Sequence, residues 1–383
     1  MREREISIAL QSYYGLKRTG LMELRLHYGE TPRWLFERMV KLGRGILHIM
    51  VDEFGPGEVL RRLSDPLFFQ ALSNVLGFDW DSSGSTTVTC GVLREVFNLE
   101  DLGLKMAGGK GEASKRTLEE VETLGEKLGL STWRIERLRY ASRLTAKVDS
   151  VAIQAGYQLY HHALFLAEDG GWAVVQQGLN PEAKAARRYH WLSENLKSFV
   201  EEPHTGIIGD KTHRRVLDMT AKESGEARKT CVDLVADNPF KTVMPYVASS
   251  LPNQPTLARW ISGSEAQSYT VIPVRVNWEA LKRAYEFKPR NFEELLAVKG
   301  LGPSTVRGLA LVSELIYGSK VSWRDPVKFS FAFGGKDGVP FPVKRRAMER
   351  AAEYLKQAVE AAEMGKREKL EALKRLRKLV PEA

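Results

Sequence analysis

Cysteine is nearly absent from this sequence: Cys90 and Cys231 are the only two, and they lie far apart. Two isolated thiols exclude a disulfide framework and a cysteine-built zinc site. They point to a reducing, cytoplasmic setting in which both are small core residues. No apolar run reaches the roughly 18 residues that a membrane helix needs. The opening MREREISIAL is charged and lacks the layout of a signal peptide. A nucleotide-binding P-loop is also missing. Gly108-Gly109-Lys110-Gly111 has glycines and a lysine, but neither the spacing nor the Lys-Ser/Thr pair. What remains at Lys110 is a contact to a phosphate backbone or a surface turn.

Acidic residues are in deficit, and the deficit is local. The net charge is +9, and 43% of the 383 residues are apolar, ordinary for a globular chain long enough for two or three domains. From Val276 onward there are 22 of the 57 Lys and Arg but only 14 of the 48 Asp and Glu, which places +8 of the +9 there. A basic segment of this size argues for a polyanion partner, most simply nucleic acid.

That segment contains NFEELLAVKGLGPSTVRGLALVSELIYG, Asn291 to Gly318. Leu295, Leu296 and Val298 make one apolar face, Gly300-Leu301-Gly302 interrupts it, and Leu309, Leu311, Val312 and Leu315 resume it. Two short helices joined by a tight loop follow. Free amides at the start of the second helix, at the positive end of its dipole, form an anion site. Lys299 and Arg307 add charge, and Ser304 and Thr305 add hydroxyls. The order Val298, Gly300, Leu301, Gly302, Thr305 resembles the helix-hairpin-helix, a module that grips DNA backbone without reading sequence. The alternative is an ordinary helical hairpin whose glycines only make the turn.

Earlier in the chain, Ile6, Ile8 and Leu10 alternate as a strand would. Leu24-Arg25-Leu26 suggests another. Thr31-Pro32 and Ser64-Asp65-Pro66 read as helix starts, with the proline at the first helical position. Asp79, Asp81 and the hydroxyls from Ser82 to Thr86 form either a metal or phosphate loop or a plain polar connection before a helix at Val92–Phe97. Ser114 to Gly129 is an amphipathic helix, and Ser131 caps another that runs to about Val151.

Tyr157 to Glu168 is rich in strand formers, Asp169-Gly170 reads as a two-residue hairpin turn, and Trp172 to Gln177 returns. That turn sets Leu164 opposite Val175 and His162 opposite Gln177. Alternation then groups His162 with Gln158 and Tyr160, and puts His161 on the other face near Ala163 and Gln176. Next, Arg187-Arg188-Tyr189-His190-Trp191 mixes base-stacking rings with phosphate-binding guanidiniums; the bland version is a helix with two solvated arginines. Asp149, His161, His162, Glu194, Glu202 and His204 are residue types that a hydrolytic divalent ion uses, although no strict metal motif is present. Val216–Met219 and Cys231–Val235 have helical periodicity, and Ser249 to Ser268 reads as a linker. Beyond the hairpin come Trp323-Arg324-Asp325-Pro326, the glycine-rich Gly334-Gly335-Lys336-Asp337-Gly338, and a helix from Lys344 that breaks at Gly365.

Several segments together resemble the family catalogued as domain of unknown function 763, found in thermophilic archaea and some bacteria. They are Arg62-Leu63-Ser64-Asp65-Pro66, Gly77-Phe78-Asp79-Trp80, Gly108-Gly109-Lys110-Gly111, Tyr157-Gln158-Leu159-Tyr160-His161-His162, Ala186-Arg187-Arg188-Tyr189-His190-Trp191 and Glu202-Pro203-His204. The resemblance implies a novel N-terminal domain joined to a helix-hairpin-helix, as in DNA-processing nucleases, and carries no catalytic residue with it.

The expected fold is α+β: a mixed domain with a small sheet over 1–205, a helical segment and linker over 206–275, the hairpin module over 276–320 and a basic tail over 321–383. The expected function is DNA binding, with metal-dependent cleavage of distorted or partly single-stranded DNA. Asp149, His162, Glu202 and His204 are the candidate ligands for Mg²⁺ or Mn²⁺, and His161 the candidate acid or base. Lys299, Gly300, Gly302, Ser304, Thr305, Arg307, Arg187, Arg188 and Lys110 are the candidate DNA contacts. Two rivals stand beside it: a non-enzymatic architectural DNA binder, and a DNA glycosylase with Asp325 as its carboxylate.

Overall fold

A computed structural model describes residues 31–78, 83–209, 212–247, 276–327, 353, 355–360 and 365–377. Three helices come first. α1 (Arg33–Ser64) bends at Gly55, whose φ of 77° precedes Pro56. Pro32 is its N-cap, so helical residues begin one place later than Thr31-Pro32 suggests. α2 (Pro66–Leu76) starts as its sequence asks: Asp65 accepts from the Leu67 amide at 2.9 Å, and proline holds the first position. α3 (Ser83–Leu99) follows.

Then come β1 (Leu104–Lys110), α4 (Thr117–Lys127) and α5 (Thr132–Lys147), which ends in a π-helical turn over Val148–Ala152. The strands are β2 (Ile153–Gln154), β3 (Gln158–Ala167), β4 (Trp172–Asn180), β5 (Ala185–Leu192), β6 (Gly206–Gly209) and β7 (Leu217–Asp218). The remaining long elements are α6 (Gly225–Ala236), α7 (Trp278–Phe287), α8 (Phe292–Ala297), α9 (Pro303–Tyr317) and α10 (Lys366–Arg377). None of the described helices is long and apolar enough to cross a membrane.

The fold is mixed α+β. An antiparallel sheet of order β1-β3-β4-β5-β6 stands in the middle, and β2 pairs separately with β7. Helices cover both faces. On one side Ala163, Phe165, Ala173 and Val175 pack with α1–α3 and with Leu355, Ala358 and Ala372 near the C-terminus. On the other, Leu164, Val174 and Trp191 join α4–α9 in a single apolar cluster that includes Leu301 and Leu309. The hairpin therefore shares a core with the sheet, and the sheet continues past residue 205 through β6.

Several expectations change. Ala167 donates to Gly171 and Gly170 to Ala167, both at 2.9 Å, so the β3–β4 loop has three residues, with Gly170 in the left-handed region at φ 87°. The extra residue shifts the register by one. Leu164 faces Val174, His162 faces Gln176 and His161 faces Gln177. An irregularity between Leu159 and His161 then turns Tyr160 to the His161 side, where it meets Gln177.

Gly108 to Lys110 is edge strand, not loop. Gly108 has φ 87°, and a Cβ there would collide with the His162 carbonyl. Arg187 to Trp191 is a central strand rather than a helix, and Val216–Met219 contributes β7. The helix expected from Ser114 is interrupted at Arg116. The expected strands before residue 31, Asp79 to Ser82, the linker from Ser249 and Gly334 to Gly338 lie outside the described residues.

One ion pair ties the sheet to the chain beyond the hairpin. Arg187 on β5 donates to Asp325 at 2.8 Å with both side chains fully buried. Asp325 also accepts from the His213 amide at 2.8 Å, and Arg187 lies 4.5 Å over the Tyr157 ring. Removing one member of such a pair leaves the other charged and sealed from water. Asp325→Ala is therefore expected to lose about 3–5 kcal/mol of stability, read from urea midpoints. A loss below about 1 kcal/mol would show that the pair is not the clamp its burial suggests.

Candidate functional site

The polar residues that the sequence singles out fall into two buried rows, one on each face of the sheet, and an exposed hairpin loop. The first row centres on Asp149. The π-helical turn after α5 places its carboxylate over β4 and β5, 1% exposed. Oδ2 accepts from Gln176 Nε2 at 2.5 Å and from Trp191 Nε1 at 3.0 Å. Oδ1 meets His204 Nε2 at 2.5 Å. Because the Gln176 amide nitrogen donates to Asp149, its oxygen accepts from His162 Nδ1, 2.7 Å away. His162 Nε2 is then the acceptor for the Ser142 hydroxyl at 2.9 Å. The result is a directional chain, Ser142 to His162 to Gln176 to Asp149, joined at its end by Trp191 and His204.

Burial sets the charges along it. It pulls the His162 imidazole down to about 4, opposed by the Gln176 bond. It pushes the Asp149 carboxyl upward against His204, Trp191 and Gln176. The order of donors is that of a nucleophile, a base and an orienting acid with an amide inserted. Ser142, however, is only 3% exposed, so no substrate reaches it in this conformation.

The opposite face carries His161, Gln177, Arg188 and His190. Gln177 bonds Thr86, Tyr160 and the Ser83 carbonyl, at 2.5, 2.5 and 2.9 Å. Arg188 reaches Gln70 at 3.2 Å and lies 4.8 Å over Phe69. Among the described residues neither ring nitrogen of His161 has a hydrogen-bond partner, and burial, then His162 and Lys110, bring it down to about 3. A base held that low and sealed from solvent is not poised for proton transfer near neutral pH.

The proposed metal ligands are thus gathered in part. Asp149, His162 and His204 share one network, in which both Asp149 oxygens, both His162 nitrogens and His204 Nε2 are turned to protein partners. Glu202 sits two residues before His204 on a turn with φ 43°, its amide bonded to the Thr220 carbonyl. Glu194 pairs with Arg61. Among the described residues no group of three or more His, Cys, Asp or Glu is arranged to hold an ion. Arg187 and Arg188, expected to hold a DNA strand, are both fully buried: Arg187 meets Asp325 and Tyr157, and Arg188 meets α2 and α3. Asp325, the carboxylate of the glycosylase reading, is sealed against Arg187.

The hairpin presents the expected loop. α8 is capped by Asn291, which accepts from the Glu294 amide at 2.9 Å. Leu301 is buried as the plug. Gly300 has φ 87°, so only glycine fits easily. Gly302 caps α9 with Pro303 at its first position. Lys299, Gly300 and Ser304 are exposed. Thr305 is buried and accepts from the Asn277 amide at 2.9 Å, which makes it a support for the turn. Arg307 is half-turned inward, donating to Gln154 at 2.8 Å. Lys110 is exposed at the end of β1.

Sequence reading missed Ser142, Gln176 and Trp191 as members of the Asp149 network. A signal existed for Ser142, which interrupts the core-facing stripe of Ile135, Leu138 and Thr145 at helical spacing. Gln176 breaks the apolar alternation of Trp172 and Val174 in the same way.

The network makes stability depend on pH. His162 is held below its unfolded value of about 6.5, so the unfolded chain takes up the proton first as pH falls. Its contribution is present above pH 6.5 and is lost toward pH 4. At pH 5 that loss amounts to about 2 kcal/mol for this residue. Asp149 works in the opposite sense, and comparing variant with parent cancels it. His162→Gln is expected to flatten the fall in urea midpoint between pH 7 and pH 5; an unchanged slope would place the titration elsewhere.

No curated protein and no solved structure matches the chain. Residues 20–343 match the family described as Protein of unknown function (DUF763), and the chain belongs to that family.

Proposed function

We propose that this protein binds DNA by gripping duplex backbone through the α8–α9 hairpin, without reading sequence. The observation that carries the reading is Gly302. Its φ is −109°, which any residue adopts, and a Cβ built there meets nothing within 4 Å. Neither strain nor packing calls for glycine at Gly302, whereas Gly300 needs it for its positive φ. A glycine that leaves open space at a helix N-cap suits close approach by an anion to the first-turn amides. Lys299 is exposed in the loop, and exposed Arg283 braces it by donating to the Lys299 carbonyl at 3.0 Å. The chain's excess positive charge lies mostly from Val276 onward, the stretch that begins with the hairpin module and continues through the basic tail.

Metal-dependent cleavage is a second reading, favoured by the direct contact of His204 with Asp149 and by His162 one amide away in the same network. It requires the Asp149–His204 contact to open and free a carboxylate oxygen and an imidazole nitrogen for Mg²⁺ or Mn²⁺. Substrate binding is the event that would open it.

Binding to labelled duplex at several salt concentrations tests the main reading. Affinity is expected to fall linearly with salt on logarithmic axes, and Lys299→Glu to shallow the slope by about one counterion. Gly302→Ala is expected to change stability by less than about 1 kcal/mol while weakening binding five-fold or more. Equal affinity in Gly302→Ala and parent would remove the hairpin from the interface. The same substrates, given Mg²⁺, Mn²⁺ or EDTA beside His204→Ala, decide the second reading: cutting that needs metal and His204 supports it.

A further inference from the structure

A cleft of about 510 Å³ is lined by no residue of the hairpin loop or of the Asp149 network. One wall is the outer turn of α5, with Trp133, Arg134 and Arg137. Its floor is aromatic: Trp172 stacks on Phe199 at 6.0 Å with an angle of 11°, and Tyr140 meets Phe199 edge-on at 5.9 Å. Trp133 is 64% exposed, a large apolar ring left in water. Arg137 lies 4.7 Å over that ring.

Two features distinguish this cleft from a simple surface groove. Among the described residues, neither Arg134 nor Arg137 has a carboxylate within ion-pair distance, although the next arginine, Arg139, pairs with both Glu122 and Glu136. The carboxylate at the far side, Glu293, is fixed in place: Tyr140 donates to its Oε1 at 2.7 Å, leaving its other oxygen as an acceptor. One end of the cleft thus offers two guanidiniums without a carboxylate partner among the described residues, the middle offers aromatic side chains, and the Glu293 carboxylate offers an acceptor.

We propose that this cleft binds a single nucleotide unit, with its base stacked on Trp133 or the aromatic floor, its phosphate on Arg134 and Arg137, and a sugar hydroxyl or base amino group on Glu293. Stacking on aromatic faces is tolerant of base identity, and arginine recognises phosphate in two-pronged fashion. The volume falls within the ordinary range of small-ligand pockets. The unit is either a free nucleotide or one unstacked residue of a strand, since both present the same planar ring and phosphate. The cleft touches the hairpin only through Glu293 on α8, and none of its lining residues belongs to the hairpin loop.

Calorimetric titration of the full chain with dAMP, deoxyadenosine, inorganic phosphate and a 5′-phosphorylated trinucleotide tests it. The nucleotide or the trinucleotide is expected to bind at least five-fold tighter than deoxyadenosine or phosphate alone. Trp133→Ala and Arg137→Ala, both at exposed positions, should each weaken that binding five-fold or more. Lys299→Glu should leave dAMP binding unchanged, which separates this site from the hairpin. Binding of dAMP identifies a free nucleotide as sufficient, whereas binding of the trinucleotide alone identifies a strand. Failure of both, or equal affinity in Trp133→Ala and parent, overturns the proposal.

Discussion

A buried carboxylate, Asp149, is the point that the inner face of the sheet is built to satisfy. Taking an ionised group out of water is tolerable only if donors replace the water. Here they come from three places in the chain: Gln176 on β4, Trp191 on β5, and His204 on the connection to β6. The carboxylate itself rides on a π-helical turn, where the wider coil displaces a residue inward from an ordinary helical path. Four separate segments therefore agree on one geometry. Loss of the acid would leave three polar groups unpaired, so the network fixes the relation of α5 to the sheet more firmly than apolar contact alone.

The sheet applies the same logic twice. Adjacent residues on each strand point to opposite faces, and the doublets His161-His162, Gln176-Gln177 and Arg187-Arg188 each send one polar side chain to either side. A row through His162 and Gln176 serves the Asp149 side, and a row through His161, Gln177 and Arg188 serves the helices α1–α3. With both faces covered, water is unavailable to these groups, and side chains from α2 and α3 supply the bonds on the second side. The arginines show the consequence. Arg187 is paired with Asp325 and stacked on Tyr157, and Arg188 donates to the Gln70 amide oxygen and the Thr86 hydroxyl and lies over the Phe69 ring. Guanidiniums can be buried because their planar, weakly hydrated surface tolerates stacking.

The mixed class, the hairpin of helices, the Asp65 cap and the pairing of β3 with β4 were all legible, because local periodicity and caps encode them. The burial of both cysteines was too. Register was not, because a three-residue loop and a two-residue loop differ by one position at Gly171, and that step exchanges Gln176 for Gln177 opposite His162. The fate of Arg187 and Arg188 was hidden as well. An alternating strand with aromatics and arginines reads as a nucleic-acid surface unless the residues that cover it, Asp325 and Gln70, are known to be near. Those partners are more than a hundred residues away in sequence, beyond the reach of local pattern.

The hairpin is not a tethered appendage. Lys147, two residues before Asp149, donates to the Leu301 carbonyl in the hairpin turn at 2.6 Å. Gln154, just beyond the π-helical turn, donates to the Pro303 carbonyl and accepts from Arg307, both at 2.8 Å. These bonds bracket the segment that carries Asp149, and Leu301 and Leu309 share its apolar cluster. Two consequences follow from this arrangement. Arg307 is used to hold the hairpin to β2 and Thr305 to hold it to the start of α7, so an anion at the loop is left mainly to the amides, Lys299 and Ser304. A backbone held there also has a fixed orientation relative to the sheet, since the atoms that position the loop are bonded to the segment that positions the buried acid. A module on a flexible linker would bind with the same local chemistry but would transmit no such orientation.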